Sequence, residues 1–378
     1  MSKISVISCG LAVVLTAGVC SVYLPTPSAA VSPAFGGVAV TTVATNLHNP
    51  RGLNFSPNGA LYVAEAGADG TPTANCGVMG DGAVRCSATT SSLAKIDVAT
   101  GNVTRVVTGI PSLIAPNGIA TGAAGIHDVS FHGNGNTYMT IGLGGDPNNR
   151  GPYFHAAGAN YGRLARTNPS GKFKLEEDLA GYEAANNPDG VVPDSNPYGV
   201  LALPGRVVIA DAGGNDLIQV SSKGEISTLA VFSPIPRPFP GPPFVQAVPT
   251  SIAQGPDGDL YVGVLTGGPF TVGLASVYRV PAAGGTPIVA YSGFTNIIDI
   301  AFGRDGSLYV LEIAKNAIPN FGAGGRLVRI APDGTQTDIL NGPPLIAPGG
   351  IAEGRDGSLY VTNMSTSSTL GHVLKIEF

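Results

Sequence analysis

The chain has no tryptophan and few charged residues. Only 12 % of its 378 residues are Asp, Glu, Lys or Arg, about half of the share in an average soluble protein. Lys and Arg form no run and the formal net charge is −5, which excludes a nucleic-acid partner because such a partner needs a basic stripe. The sequence also lacks heptads, which excludes a long coiled coil, and a three-residue glycine period, which excludes collagen.

Glycine and proline are abundant instead. The chain contains 54 Gly and 31 Pro, well above the combined average of roughly 12 %. Hydrophobic residues still make up 43 %, and the mean hydropathy is +0.23. A chain this apolar is not a disordered low-complexity chain, so the composition predicts a folded protein with many turns.

The N-terminus has the pattern of an export signal. Lys3 precedes an apolar stretch, residues 4–24, and the small residues Ser28 and Ala30 lie three and one positions before Val31. We predict a signal peptide over residues 1–30, a single domain over residues 31–378, and a secreted or periplasmic location. An uncleaved anchor is the alternative, because the stretch is long enough to span a bilayer. We expect no membrane span in the mature chain.

Removal of the leader leaves two cysteines, Cys76 and Cys86. In an exported protein such a pair predicts a disulfide. A zinc site is the alternative, but no second cysteine pair and no nearby histidine completes one.

One pattern recurs six times along the chain. Each copy has a short alternating apolar run, a turn such as Pro-Asp-Gly or Arg-Asp-Gly, and a second run centred on Leu-Tyr-Val or its equivalent. The copies are residues 51–63, 127–139, 198–209, 250–262, 298–310 and 349–361. This pattern is typical of a β-hairpin.

Further apolar runs follow the hairpins. A third run follows each copy and a fourth follows the first five, while an unmatched run, residues 38–44, precedes the first. We therefore predict an all-β fold, a six-bladed β-propeller of four-stranded antiparallel blades, with the last blade closed by the N-terminal strand. An ordinary β-sandwich is the alternative, but it does not explain six equivalent hairpins.

Four long connections are expected on one face of the propeller. Residues 66–91 and 142–161 join second to third strands, and residues 181–196 and 233–248 cross from one blade to the next. Antiparallel strands place all four at the same end of the axis. Long loops are often functional, so we predict that this loop-rich face binds a small molecule or a protein, and we expect a monomer.

Carboxylates and amides are expected to converge on the axis. These side chains lie at the ends of second strands or near the starts of first strands, and their oxygens suit a divalent cation such as calcium. The expected ligands are Glu65, Asp128, Asp211, Asp299, Glu312 and Asn363. The alternative is that these side chains cap strand ends around a wet channel.

Other polar side chains near the strand starts are candidates for binding a ligand. The candidates are Arg51, His127, Arg150, Asn196, Tyr198 and Asn296. Arg150 ends the string GLGGDPNNR, whose backbone amides would hold an anion unless it is simply a tight surface loop. His127 precedes Asp128, but neighbours on a strand point to opposite faces, which favours a binding or structural histidine over a general base. The sequence has no motif of a known hydrolase or phosphate loop.

Several longer strings resemble the ScyD/ScyE family of exported propeller proteins, named after two genes of a sunscreen-pigment (scytonemin) cluster. The resemblance covers residues 43–378 and includes YEAANNPDG at 182–190, DSNPYGV at 194–200 and ADAGGND at 210–216. It implies an exported propeller without an established reaction. The chain departs from the family at Val264, where a glutamate is expected and one ring carboxylate is lost.

The hairpins also resemble, more distantly, those of NHL-repeat propellers and of calcium-dependent lactonases of the SMP-30/gluconolactonase type. That resemblance implies Glu, Asn and Asp around a central opening, but no residue-by-residue match exists, so it is an analogy of fold.

These sequence features lead to two hypotheses about function. The first is a non-catalytic binding or scaffold protein that uses the loop-rich face, favoured by the lack of a catalytic motif and by the stiff Pro-rich crossover 234–243. The second is a metal-dependent lactonase or hydrolase at the channel, with a metal-bound water as nucleophile. The sequence leaves open whether the protein is an enzyme.

Overall fold

The computed structural model describes residues 37–71, 74–133, 136–168, 171–237 and 240–378. The predicted leader, residues 1–30, lies outside the described residues, as does the apolar stretch on which it rests.

Strands dominate the described chain. They are β1 (Ala39–Leu47), β2 (Pro50–Phe55), β3 (Leu61–Glu65), β4 (Cys76–Val78), β5 (Val84–Ile96), β6 (Val103–Ile114), β7 (Ile126–His132), β8 (Asn136–Ile141), β9 (Arg163–Thr167), β10 (Phe173–Asp178), β11 (Pro197–Leu203), β12 (Arg206–Asp211), β13 (Asp216–Ser221), β14 (Ile226–Val231), β15 (Ile235–Pro236), β16 (Phe244–Val245), β17 (Pro249–Gln254), β18 (Leu260–Val264), β19 (Ala275–Val280), β20 (Ile288–Phe294), β21 (Ile297–Phe302), β22 (Leu308–Glu312), β23 (Arg326–Ile330), β24 (Gln336–Asn341), β25 (Gly350–Glu353), β26 (Leu359–Asn363) and β27 (Gly371–Glu377). Two short helices, α1 (Arg150–Phe154) and α2 (Leu179–Asn186), lie between strands, as do three 3-10 turns, Pro147–Asn149, His155–Asn160 and Phe321–Ala323.

Six antiparallel sheets of the described chain are the blades, and β15 and β16 form a separate two-stranded sheet. The first blade contains β2, β3, β5 and β6, and the next four are β7–β10, β11–β14, β17–β20 and β21–β24. The sixth contains β25, β26, β27 and β1. The first strands β2, β7, β11, β17, β21 and β25 contact one another in a closed ring. The predicted six-bladed β-propeller is confirmed.

The hairpin at the inner edge of each blade follows from local sequence. In the Asp-Gly turns, Gly258, Gly306 and Gly357 have φ values of +86°, +81° and +82°, a region that glycine enters without the steric cost of a Cβ. The strands on either side bury apolar residues against the neighbouring blade. Tyr360 of the sixth blade, for example, packs with Phe55 of the first, with ring centroids 5.1 Å apart. Burial on both faces of each sheet explains the low share of charge.

The sixth blade receives its outer strand from the other end of the chain. β1 pairs with β27, with Val40 opposite Ile376, and Leu47 at its end is fully buried. The two ends of the described chain thus lie in one sheet.

The connection 66–91 differs from the expected loop. Here β4 pairs with β5, and β5 and β6 reach 13 and 12 residues, beyond the length of the blade. Cys76 lies opposite Cys86 in this pairing, and the predicted disulfide is confirmed. The sequence predicted only a loop here because the polar, Gly-rich string has little period-two alternation, and the extension of β5 depends on its pairing with β6.

Residues 233–248 contain the short strands β15 and β16, which pair with each other, and the two remaining long connections carry short helices. α1 lies within residues 142–161, and α2 begins just before the crossover 181–196. Over the described part of the chain, no helix has the length and apolarity to cross a membrane.

Candidate functional site

A small cavity of about 20 Å³ lies at the loop-rich end of the axis. We call the residues that shape it the axial mouth: Arg51, Met79, Arg85, His127, Asn196 and Tyr198. They come from the starts of first strands, from the disulfide hairpin and from the crossover into the third blade. The sequence predicted Arg51, His127, Asn196 and Tyr198 as ligand-binding residues, and the structure places these four around one cavity.

Arg51 is buried, with 1 % of its surface exposed. Its Nη2 donates a hydrogen bond of 2.9 Å to the Ala123 carbonyl. Its Nε and Nη1 have no hydrogen-bond partner among the described residues. A guanidinium keeps its charge even when it is buried, and an unpaired buried donor is costly. Arg51 therefore offers two adjacent donors to an acceptor that enters the cavity.

His127 and Tyr198 stack beside this guanidinium. Their ring centroids lie 4.5 Å apart with an interplanar angle of 29°. Nδ1 of His127 lies 3.1 Å from the Pro197 carbonyl, so Nδ1 carries the proton and donates it. Burial, aided by the charge of Arg51, lowers the pKa of His127 to about 3. The imidazole is therefore neutral at physiological pH.

The hydroxyl of Tyr198 is a third free polar group. It lies near Arg51 but makes no hydrogen bond of good geometry with any described residue. Burial raises the pKa of Tyr198 above its usual value, so the hydroxyl keeps its proton and is a further donor.

The disulfide hairpin covers the cavity. Gly80 donates a backbone hydrogen bond of 2.9 Å to Gly144, which rests the hairpin tip on the turn after β8. Arg85 approaches Asp81 to 3.5 Å. Burial lowers the pKa of Arg85, and the nearby charge of Arg51 acts in the same direction. Two buried guanidinium groups thus face one carboxylate, which leaves an excess of positive charge.

Glycine at position 142 lets the ring of His127 approach. A Cβ on Gly142 would lie 2.1 Å from Cε1 of His127 and 2.7 Å from Oδ1 of Asn196. That same oxygen accepts a hydrogen bond of 3.3 Å from the backbone of Leu143. The start of the string GLGGDPNNR therefore forms one wall of the mouth.

Two predicted ligand-binding residues lie elsewhere. Arg150 donates two hydrogen bonds, of 2.7 and 3.1 Å, to the carboxylate of Asp178. Asn296 bonds to the backbone of Leu265 and Ile318. Their polar groups hold loops in place, and neither contributes to the axial mouth.

The carboxylates at the ends of second strands point into their own blades. Glu65 forms an ion pair of 2.8 Å with Arg105 and accepts a backbone hydrogen bond from His48. Glu312 pairs with Arg326 at 3.2 Å and accepts one from Thr295. Burial raises the pKa of Glu312 to about 7. Both side chains cap the preceding crossover.

Asn363 and Asp211, like Glu65 and Glu312, accept hydrogen bonds from the backbone of the preceding crossover. Asn363 accepts a backbone hydrogen bond of 2.8 Å from Ile346. Asp211 accepts one of 2.6 Å from Asn196 and one of 2.7 Å from the Ser195 hydroxyl. These contacts match the alternative that the sequence left open, in which such side chains cap strand ends.

Asp128 and Asp299 lie on first strands of opposite blades. Each accepts a backbone hydrogen bond from the next first strand, Asp128 from Val200 at 2.9 Å and Asp299 from Ile351 at 2.8 Å. Burial raises the pKa of Asp128 to about 7, and burial together with the charge of Asp128 raises that of Asp299. Within the described ranges, no three His, Cys, Asp or Glu side chains are placed to hold a metal ion.

A larger groove, of about 250 Å³, lies between the second and third blades. Its charged groups include Arg166 and Glu176, which pair with each other at 3.1 Å. Unlike the axial mouth, the groove has no lining residue with a buried polar side-chain atom that lacks a partner in the described chain.

Sequence reasoning missed Met79, Asp81 and Arg85. They lie inside the Cys76–Cys86 segment, so the predicted disulfide on the loop-rich face was the signal that would have drawn attention to them. Their convergence on Arg51 depends on the β4–β5 pairing.

No protein-family model matches the chain, and no curated protein matches it in sequence. Solved structures do resemble it. A gluconolactonase from Xanthomonas campestris has a TM-score of 0.54 at 10 % identity, over 93 % of this chain and 95 % of that chain. The PQQ-bound aldose sugar dehydrogenase from Streptomyces coelicolor has a TM-score of 0.51 at 15 % identity, over 90 % and 98 %. A glucose dehydrogenase has a TM-score of 0.55 at 14 % identity, over 90 % of this chain and 99 % of that chain.

These likenesses show the fold. At such low identity they carry neither substrate nor cofactor to this chain, and the resemblance to the ScyD/ScyE family stays a prediction.

Proposed function

We propose that the protein is an exported β-propeller of the ScyD/ScyE type that binds the acidic group of a small molecule or protein at its axial mouth, without chemistry of its own. The observation that carries this proposal is the buried guanidinium of Arg51, with Nε and Nη1 free of partners among the described residues. Adjacent guanidinium donors match the two oxygens of a carboxylate or phosphate.

The size of the cavity limits what enters. At about 20 Å³ it has little more than the room that one water needs. The acidic group alone would reach Arg51 and Tyr198, while the rest of the ligand would lie outside, against the disulfide hairpin. A ligand with a terminal carboxylate or phosphate fits this arrangement best.

Binding without chemistry is favoured by the state of His127. A general base works best when its pKa lies near the operating pH. Burial and the charge of Arg51 lower the pKa of His127 to about 3, and its Nδ1 proton is used on a backbone carbonyl. This imidazole is therefore a poor proton acceptor and a good packing partner for Tyr198.

A second candidate function is a metal-dependent lactonase or hydrolase at the channel. Asp128 and Asp299 support it, because these half-buried carboxylates lie on first strands of opposite blades and the charge of Asp128 raises the pKa of Asp299. Turnover in a panel of lactones and esters supplied with calcium, zinc or manganese, lost in Asp299→Asn, would favour this candidate over the first.

The test of the binding proposal uses acetate, succinate and inorganic phosphate as probes. We expect at least one probe to raise the melting temperature of the purified protein, since a ligand bound only by the folded state stabilises it. Arg51→Gln is expected to abolish that rise. Arg51→Lys is expected to weaken it, because an ammonium lacks the two parallel donors.

Arg304→Gln is the matched control, since the Arg304 side chain is 59 % exposed and lies outside the mouth. It should respond to the probes as the unchanged protein does. The proposal is wrong if no probe shifts the melting temperature, or if Arg51→Gln, shown to be folded by circular dichroism, keeps the full response.

A further inference from the structure

Five carboxyl side chains converge beside the third blade. Glu183 lies on α2, Asp189 and Asp194 lie in the crossover that follows, Asp211 ends β12 and Asp216 begins β13. We call these five residues the acidic cluster. Asp211 and Asp216 are opposite each other in the β12–β13 register.

Gly214 marks the point on which several of these side chains converge. A Cβ at this position would lie 3.3 Å from Oε2 of Glu183, 3.4 Å from Oδ1 of Asp216 and 3.5 Å from Cγ of Asp211. Because glycine has no side chain, the oxygens border a common space next to the turn between β12 and β13.

Asp216 is the most unusual member of the cluster. Only 1 % of its surface is exposed, and neither of its oxygens has a hydrogen-bond partner among the residues that the structure describes. The same part of the chain provides no partner for Oε1 of Glu183 or Oδ1 of Asp194, and both side chains are 3 % exposed. All four of these oxygens are hydrogen-bond acceptors, so their missing partner is either a cation or protons bound to the carboxyl groups themselves.

No basic side chain neutralises the cluster. Across the described residues, none of its members forms an ion pair with Lys, Arg or His. Burial and the neighbouring carboxylates raise the pKa of Glu183 to about 8, and the same two causes raise that of Asp194 to about 8. Ionisation of all five side chains would therefore confine several negative charges without a counter-charge, which is costly in a low-dielectric interior.

Other contacts hold the cluster in place. Asp211 accepts backbone hydrogen bonds from Gly213 and Gly214, at 3.0 and 3.1 Å, in addition to those from the crossover. Asp189 accepts one of 3.0 Å from the Asn215 side chain. These two carboxylates are fixed, whereas the free oxygens of Asp216 and Glu183 are available to a ligand.

We propose that the acidic cluster binds a calcium ion. Calcium takes six to eight oxygen ligands, including carboxylates, in a flexible geometry, whereas magnesium demands a near-ideal octahedron. The cluster offers carboxylates from a helix, a crossover and a hairpin, which suits the more tolerant ion. Of the ring residues that the sequence suggested as cation ligands, only Asp211 belongs to this site.

Binding requires a small inward movement. In the described residues no three acidic, His or Cys side chains already stand at the spacing of a metal site. Oε2 of Glu183 and the free Oδ1 of Asp216 border the same space beside Gly214, and an ion held there would draw both to calcium–oxygen distances of about 2.3–2.6 Å.

The test uses calcium chloride as the probe on the purified protein after dialysis against a chelator. We expect calorimetry to show one ion per chain and the melting temperature to rise by about 5 °C at a calcium concentration 100-fold above Kd. Asp216→Asn is expected to abolish both signals. Asp333→Asn, at an exposed position, is the matched control and should keep both.

The proposal is overturned if the unchanged protein shows no calcium signal, or if Asp216→Asn and Glu183→Gln both keep it. It is also overturned if Asp216→Asn raises the melting temperature regardless of calcium, since protons would then neutralise the cluster. Glu183→Gln serves where Asp216→Asn fails to fold. Arg51→Gln should bind calcium normally, which separates failure of this site from failure of the axial mouth.

Discussion

At the residue scale, three side chains at equivalent positions share one structural role. Glu65, Glu312 and Asn363 each accept a backbone hydrogen bond from a residue 17 positions earlier, in the preceding crossover. A polar residue at the end of the second strand therefore holds the crossover against its blade. The sequence pattern predicts that these side chains point towards the axis. In the structure they accept hydrogen bonds from backbone N–H groups instead.

The two glutamates should differ in their effect on stability. Glu65→Gln breaks an ion pair in which the Glu65 carboxylate is fully buried and also receives the Ser92 hydroxyl, so we expect a loss of about 3 kcal/mol in the free energy of unfolding. Glu312→Gln should cost about 1 kcal/mol, because Arg326 keeps its contact of 2.6 Å with Asp338. Urea denaturation measures both losses. Equal losses in the free energy of unfolding for the two variants would contradict this prediction.

At the element scale, the β4–β5 hairpin decides the shape of the axial mouth. The disulfide joins its two strands across 10 residues, and its tip brings Met79 and Arg85 over Arg51. Without the crosslink, a hairpin this short would have little stability of its own. The disulfide therefore places a second guanidinium near the first.

A variant with Cys76→Ser and Cys86→Ser tests this role. Loss of the crosslink should lower the free energy of unfolding by about 2.5 kcal/mol. The affinity for the best acidic probe should fall about tenfold, as Arg85 is no longer held over the cavity. Calorimetry measures the affinity below the melting temperature. An unchanged affinity in the folded double variant would remove the hairpin from the site.

The acidic cluster is also assembled from separate elements. Residues 182–190, 194–200 and 210–216, three of the strings that carry the family resemblance, contain all of its members. α2 supplies Glu183, while the β12–β13 turn supplies Asp211 and Asp216. Each string alone resembles an ordinary turn, and only the meeting of all three forms a site.

At the scale of the whole molecule, stability depends on closing the ring. Each first strand contacts the next, and the sixth blade joins the first through contacts of β25 with β2. β1 covers the outer edge of β27. An exposed edge strand would otherwise be free to pair with other chains.

Removal of β1 should therefore destabilise the propeller strongly. A chain that starts at residue 48 would lose the buried side chains of Val40, Ala44 and Leu47 and expose the edge of β27. We expect it to aggregate, whereas a chain that starts at residue 37 should elute as a monomer. Size-exclusion chromatography and circular dichroism distinguish the two. A monomeric shorter chain with an unchanged melting temperature would contradict this account of closure.

Much of the fold was predictable because its signals are local. The predicted hairpin 298–310 contains most of β21 and the first three residues of β22, since period-two alternation and an Asp-Gly turn act within about a dozen residues. The hairpin inside residues 66–91 was not predictable in the same way. Its residues are polar and rich in glycine, and the long β5 is held there by its pairing with β6, which begins at Val103.

The sequence by itself determined the number of blades, the hairpins, the disulfide and four residues of the axial mouth, because each depends on repetition or on residue type. Only the tertiary structure decided which polar groups are free. Glu65 is neutralised by Arg105, 40 residues away, whereas Arg51 and Asp216 lack such partners within the described chain. Partners are set by packing between distant segments, and a free donor or acceptor becomes visible only when all of its neighbours are in place.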